Sequence, residues 1–185
     1  MGFGEARRQA ALQRAEHELL FRSHYRTLVT YLAARIPIED AKDLAADVFV
    51  DAWRQREQVV VDEDRGWLPW LFTVARRKST AWLATRDAHA AKDARAARLP
   101  AEDFVERIVE VDAANQELRL TLHALARLDA EDQEVLELCG LFGLTPAQAA
   151  ISLGVPAGTA RVRLHRARGR LADLVAAESG AEEVS

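Results

Sequence analysis

The chain has 185 residues, 49% of them apolar and 29% charged, with nine Gly, five Pro and a single cysteine, Cys139. That apolar share is ordinary for a globular protein and excludes wholesale disorder, and the longest apolar runs fall far short of the ~20 residues of a membrane-spanning helix. The N-terminus, MGFGEARRQAALQRAE, lacks the apolar core of a secretory signal. One cysteine forms neither an internal disulfide nor a zinc cluster, which suits a reducing cytoplasm. The formal net charge of −4, with a pI near 5.8, argues mildly against a nucleic-acid partner when taken as a whole-chain average.

No glycine occurs between Gly66 and Gly140, and Ala, Arg, Leu and Glu dominate that stretch. Alternating apolar and polar runs are missing, so the chain reads as all-α. A first helix is expected from about Glu5 to Arg35, with a possible break at Arg22 and an apolar stripe of Phe21, Tyr25, Leu28 and Leu32. Pro37 ends it. A second, Glu39–Arg56, has Leu44, Val48 and Ala52 as its inner line and Asp40, Asp43, Asp47 and Asp51 beside it. The polar loop Val61–Gly66 leads to a third helix, Trp67–Arg86, with Pro69 in its first turn. Residues 87–116 lose periodicity, carry Pro100 and dense charge of both signs, and read as a linker. Helical pattern returns at Glu117, with Leu118, Leu122 and Leu125 on one stripe, Val135, Leu136 and Leu138 on the next helix, and Gly140 and Gly143 bracketing a turn.

The organisation expected is therefore two small helical domains joined by a linker: residues 1–86, the linker 87–116, residues 117–176, and a tail at 177–185. In the second domain Thr145 suits an N-cap, Pro146 the first helical position, and Gln148 the far corner of a capping box. Gly154 can adopt the left-handed conformation that stops the helix, and a further helix begins within four residues. Two helices joined this tightly form a helix-turn-helix, whose second member enters the major groove of DNA. That second member buries Ala160, Leu164, Ala167 and Leu171 and carries five arginines with no acid between Thr145 and Arg170. An ordinary solvated basic face is the competing explanation.

Three stretches resemble the group IV, extracytoplasmic-function, RNA polymerase sigma factors: DAKDLAADVFVDAWR (Asp40–Arg54), WLPWLFTVARRKSTAWL (Trp67–Leu83) and GLTPAQAAISLGVPAGTARVRLHRAR (Gly143–Arg168). The resemblance spans roughly 20–83 and 118–174. It implies a non-enzymatic subunit, without cofactor or metal, that binds core RNA polymerase, directs it to promoters and melts the DNA. By residue-to-residue transfer, Arg161, Val162, Arg163, His165, Arg166 and Arg168 would contact the −35 element, Arg163 and Arg168 equally suiting salt bridges that brace the domain. Trp67, Phe72, Arg76, Arg77, Lys78 and Ala81 would serve −10 reading and melting, which needs aromatic stacking beside cations; Trp70 and Trp82 add aromatics, with Trp70 weighed toward the core. Asp43, Leu44, Asp47, Val48, Asp51 and Trp53 would dock, with Phe49, on the clamp of the polymerase largest subunit. An anti-sigma factor is a further implied partner, and membrane contact is expected only through a membrane-bound one.

The chain departs from the family where bases are read. Arg77 stands in place of the usual Asn, Ala81 in place of Asp or Asn, Val162 in place of Ser, and the loop VDEDRG is unusually acidic, so promoter preference should be unusual or base readout weak. The rival reading is a stand-alone helix-turn-helix regulator whose N-terminal domain dimerises or senses a ligand. No phosphate loop, nucleophile elbow or metal spacing among His17, His24, His89, His123 and His165 points to an enzyme. The net charge divides unevenly: Arg76–Arg98 holds seven basic residues against two acids, and Leu99–Glu137 eleven acids against three bases.

Overall fold

A computed structural model describes residues 3–90, 121 and 123–182, all of whose regular elements are helical. The predicted linker lies almost wholly outside these residues. Helix α1 (Phe3–Ala33) is continuous, without a break at Arg22, because no Gly or Pro lies between Glu5 and Ala33. Helix α2 (Ile38–Gln55) starts directly after Pro37, and α3 (Leu68–Ala90) runs four residues beyond Arg86. The three pack through Leu28, Leu32, Ile36, Ala41, Ala45, Val48, Ala52, Leu71 and Ala75, each no more than 1% exposed. Between α2 and α3 the acidic loop closes on itself. Asp62 and Gly66 exchange backbone hydrogen bonds, and the Asp62 carboxylate accepts from the backbone N–H of Asp64 and Arg65.

The second half holds α4 (Ala130–Leu136), capped by the Asp129 carboxylate, which accepts from the Asp132 N–H. It continues into a wider π turn over Glu137–Leu141. Gly140 lies inside that turn and so does not bracket it as predicted; the chain reverses at Gly143, whose φ is +68°. Helix α5 (Pro146–Leu153) follows, then α6 (Ala157–Glu182), which continues through most of the predicted tail.

The two halves are not separate bodies. Helix α3 lies along α5, and α1 reaches α4 and the π turn. Phe142 inserts between the halves, its ring centroid 4.9 Å from Phe72 and 5.9 Å from Tyr31. The positive φ favours glycine at 143, and a Cβ there would also stand 3.0 Å from the Arg65 guanidinium, which would have to shift slightly.

Candidate nucleic-acid interface

The helix-turn-helix forms as its local chemistry dictates. The Thr145 hydroxyl accepts from the Gln148 N–H at 3.3 Å, and the Gln148 side chain accepts from the Thr145 N–H at 2.9 Å, completing the capping box. Gly154 stops α5 at φ +68°, a conformation that costs any residue with a Cβ. Helix α6 then turns Ala160, Leu164 and Ala167 inward, each no more than 5% exposed. The opposite face presents Arg161, Val162, His165, Arg166 and Arg168 to solvent; even the apolar Val162 is 51% exposed. Arg163 lies at the edge of this face and pairs with Glu131 at 2.8 Å, the bracing role weighed for it from sequence. Arg170 pairs with Asp129 at 2.9 Å and with Asp132, closing a charged groove between α4 and α6.

The second predicted surface, around α3, is divided. Leu71, Val74 and Ala75 face inward. Phe72, expected among the melting aromatics, is fully buried, edge-on to Tyr31 at 4.9 Å and tilted against Phe142. Its helical position, one turn from Leu68 and Ala75, places it on the core stripe. Trp67 and Trp70 are half-buried and meet edge to face at 5.7 Å, and Trp82 is half-buried beneath the Arg86 guanidinium. Among the cations Arg77 is exposed, as is Ala81. Arg76 is half-buried, its Nε donating to both Glu134 carboxylate oxygens at 3.1 Å. Lys78 reaches Asp51 at 3.0 Å and Asp47 at 3.9 Å.

On α2, Asp43 and Asp47 are exposed and Leu44 half-buried. Val48, expected at the docking surface, is wholly core, because the acidic side and not the inner line meets solvent; Phe49 is likewise buried. Trp53 is half-buried, under the Arg56 guanidinium at 4.4 Å and edge-on to His17 at 5.2 Å.

Several structurally active residues escaped the sequence reading. The Tyr31 hydroxyl donates to Glu134 at 2.8 Å, and Arg35 donates to Glu137 at 2.6 Å with the Glu137 side chain only 2% exposed. Burial pushes the Glu137 carboxyl above its ordinary range, opposed by the Arg35 charge. Burial would lower the Arg35 pKa, but Glu137, Tyr31 and Glu134 around it outweigh that and raise it. Gln148 Nε2 donates to Asp62 at 2.8 Å, and Ser152 Oγ to the Pro69 carbonyl at 3.0 Å. The only sequence signal for this set was the density of acids before Glu137. Among the described residues no cluster of His, Cys, Asp and Glu is arranged to hold a metal ion, and no helix is long and apolar enough to cross a membrane.

A capped helix-turn-helix whose second helix turns Arg161, Arg166 and Arg168 to solvent, standing beside a three-helix unit with a cationic, Trp-flanked helix, defines a DNA-directed transcription protein. Residues 118–171 match the family "Sigma-70, region 4". The RNA polymerase sigma factor NccH of Alcaligenes xylosoxydans xylosoxydans is 31% identical over 178 residues, 92% of each chain. The ECF RNA polymerase sigma factor SigL of Mycobacterium tuberculosis is 34% identical over 172 residues, 89% of each chain. The structure of CnrH in complex with the cytosolic domain of CnrY superposes with a TM-score of 0.57 and 25% identity, over 89% of this chain and 90% of that one. The chain belongs to the ECF RNA polymerase sigma factors, and its all-α fold is theirs. That family is non-catalytic.

Proposed function

We propose that this sigma factor reads the −35 element through Arg161, Val162, His165, Arg166 and Arg168 of α6, with Arg163 held beside them by Glu131. The observation that carries the reading is the sidedness of α6: Ala160, Leu164 and Ala167 are buried, and those five side chains are all exposed. Arginine forks suit guanine edges and phosphates, and Val162 suits a thymine methyl.

The −10 element falls to α3, through Arg77, Lys78, Ala81 and Trp67, with Arg76 once its carboxylate partner is withdrawn. Polymerase core docks on the acidic side of α2, at Asp43, Asp47 and Asp51, with Leu44 and Trp53 supplying apolar contact. Val48 and Phe72 support these surfaces from within. The division into a domain over 1–86, a linker over 87–116 and a domain over 117–176 follows from the same assignment. CnrH is solved with CnrY, and the likeness supports an anti-sigma partner for this chain. A cytoplasmic, non-catalytic subunit fits the lone Cys139 and the family.

The experiment is run-off transcription with core polymerase on genomic promoter fragments. Promoter-specific transcripts that depend on this protein are expected; no response from any promoter of the source genome overturns the reading.

A further inference from the structure

Winding at about 100° per residue gives α6 a core-facing line, an outward centre at Val162 and His165, and two flanks. One flank carries Arg161 and Arg168; the other carries Arg163, Arg166 and Arg170. A major groove ~12 Å wide takes a helix ~10–12 Å across, so base edges meet the centre of the helix and the phosphate walls meet its flanks. Arginines on the flanks are therefore placed for backbone phosphate, a contact that carries no sequence information.

The two flanks are built differently. Among the described residues, Arg161 and Arg168 make no hydrogen bond or ion pair. Along the other flank, acids of α4 and its cap line a groove of about 570 Å³. Arg170 pairs there with Asp129 and Asp132, and Arg163 with Glu131 at 2.8 Å. Asp129 also caps α4, and Asp132 is 5% exposed, so the Arg170 contacts belong to the packing of α4 on α6. Glu131 has neither task. Its side chain is 72% exposed, and the group it holds, Arg163, is 22% exposed. Arg166, on the same flank, is exposed and without an ion pair among the described residues, so one cation remains there for phosphate.

We propose that Glu131 is a specificity-determining residue for −35 recognition: it positions Arg163 against α4 and so withholds one phosphate contact from the reading helix. On non-cognate DNA no base contact fixes the depth or tilt of α6. The helix then settles where its cations best meet phosphate, and a released Arg163 counts in full. On the cognate element base contacts fix depth and tilt, and Arg166 already serves that wall, so the same cation adds less. Holding Arg163 back favours the cognate site by weakening its competitors. The proposal rests on the assignment of α6 to the −35 element. Because the pair is partly solvated, the effect is a few-fold and not orders of magnitude.

The test uses the full chain assembled with core polymerase and two DNA fragments. One is a promoter that gives a run-off transcript with this protein, and the other is the same promoter with its −35 element scrambled. Dissociation constants are measured by fluorescence anisotropy across a salt series. Glu131→Gln keeps the shape of an exposed side chain and removes its charge. It should tighten binding to the scrambled fragment about 3- to 5-fold and steepen the salt slope by about 0.9, the value of one added phosphate contact. Binding to the intact promoter should change less, so discrimination between the fragments should fall at least about 2-fold.

In an Arg163→Met background Glu131→Gln should change neither constant, because no cation is left to release. A gain of equal size in both backgrounds would trace the effect to repulsion between the carboxylate and phosphate, and would overturn the proposal. Weaker binding of Glu131→Gln to both fragments, the mark of a simple brace, would also overturn it, as would constants and slopes equal to wild type. Equal wild-type affinity for the two fragments overturns the −35 reading and the proposal with it, whereas failure of the proposal alone shows only in the variants.

Discussion

The Tyr31 hydroxyl donates to Glu134 Oε1 at 2.8 Å across 103 positions of sequence, and this bond ties the last turn of α1 to the acidic helix α4. Tyr31 is 1% exposed, and burial, opposed by the Arg35 charge and aided by the Glu134 carboxylate, raises its pKa, so it remains a neutral donor at any physiological pH. Tyr31→Phe keeps the ring against Phe72 and Phe142 and removes only this bond. Glu134 would keep Arg76, so the loss should be ~1.5 kcal/mol, the lower end of the usual worth of a hydrogen bond to a charged acceptor. Urea denaturation of the two proteins, compared at equal m-value, checks it; equal midpoints would show that the bond adds nothing to the closed form.

The sequence exposes some of this architecture and hides the rest for physical reasons. Thr145, Pro146, Gln148 and Gly154 were legible because capping boxes and left-handed stops act within a few residues, and the arginines of α6 were legible because its buried line is strictly periodic. Phe72 and Val48 were misplaced for the opposite reason. Val48 already lay on the inner line that periodicity gives and reached the docking surface only through the family resemblance, and a helical wheel cannot tell an aromatic that stacks on a base from one that meets Phe142, 70 positions away. Pairs such as Arg35–Glu137 and Asp62–Gln148 leave no local trace, so closure of the two halves was invisible. The acidity of the loop VDEDRG, which looked like a departure from DNA reading, gains a structural role at Asp62, whose carboxylate takes the Gln148 amide and two backbone N–H groups.

Two glycines in the second half should respond oppositely to alanine. Gly154 sits at φ +68°, where a Cβ meets the following carbonyl, so Gly154→Ala should cost ~1–2 kcal/mol and loosen the helix-turn-helix. Gly140 lies within the π turn, without positive φ, and a Cβ there meets open space. Gly140→Ala should be neutral or stabilise by ~0.5–1 kcal/mol through lost unfolded-state freedom. Thermal unfolding of both variants tests the pair, and a rise in Tm for Gly154→Ala would contradict the left-handed stop.

Two histidines on α1 predict a pH dependence. Burial lowers the His17 pKa below 6.5, helped by the charge of Arg56, and burial alone lowers that of His24. The unfolded chain then binds protons more readily than the folded one, so their contribution is present in full above pH 6.5 and fades as pH falls through that value. Both are only half-buried, which keeps the effect modest. Stability should decline on going from neutral pH to mildly acid, and His17→Phe with His24→Gln should flatten that slope. A slope unchanged in the double variant would assign the acid sensitivity elsewhere.

Arg161 and Arg163 sit two residues apart on α6 and should separate recognition from bracing. Arg161 is exposed at the start of the outward face, and Arg163 is half-buried in an ion pair with Glu131, itself 72% exposed. Arg163→Ala breaks a bond that solvent already weakens, so its stability cost should be ~0–1 kcal/mol. Arg161→Ala removes no intramolecular hydrogen bond or ion pair among the described residues and should leave the melting curve where it is. It should nevertheless weaken −35-dependent initiation by ~1–3 kcal/mol, or roughly 5- to 150-fold, if the guanidinium forks onto a base edge. A uniform loss over all promoter sequences, with a salt slope reduced by about one, would place Arg161 on phosphate. Binding to core polymerase, measured by pull-down or fluorescence anisotropy, should be unchanged because α2 is untouched. Equal loss of core binding and initiation would mean that the substitution had disturbed the fold, and would withdraw Arg161 from the DNA surface.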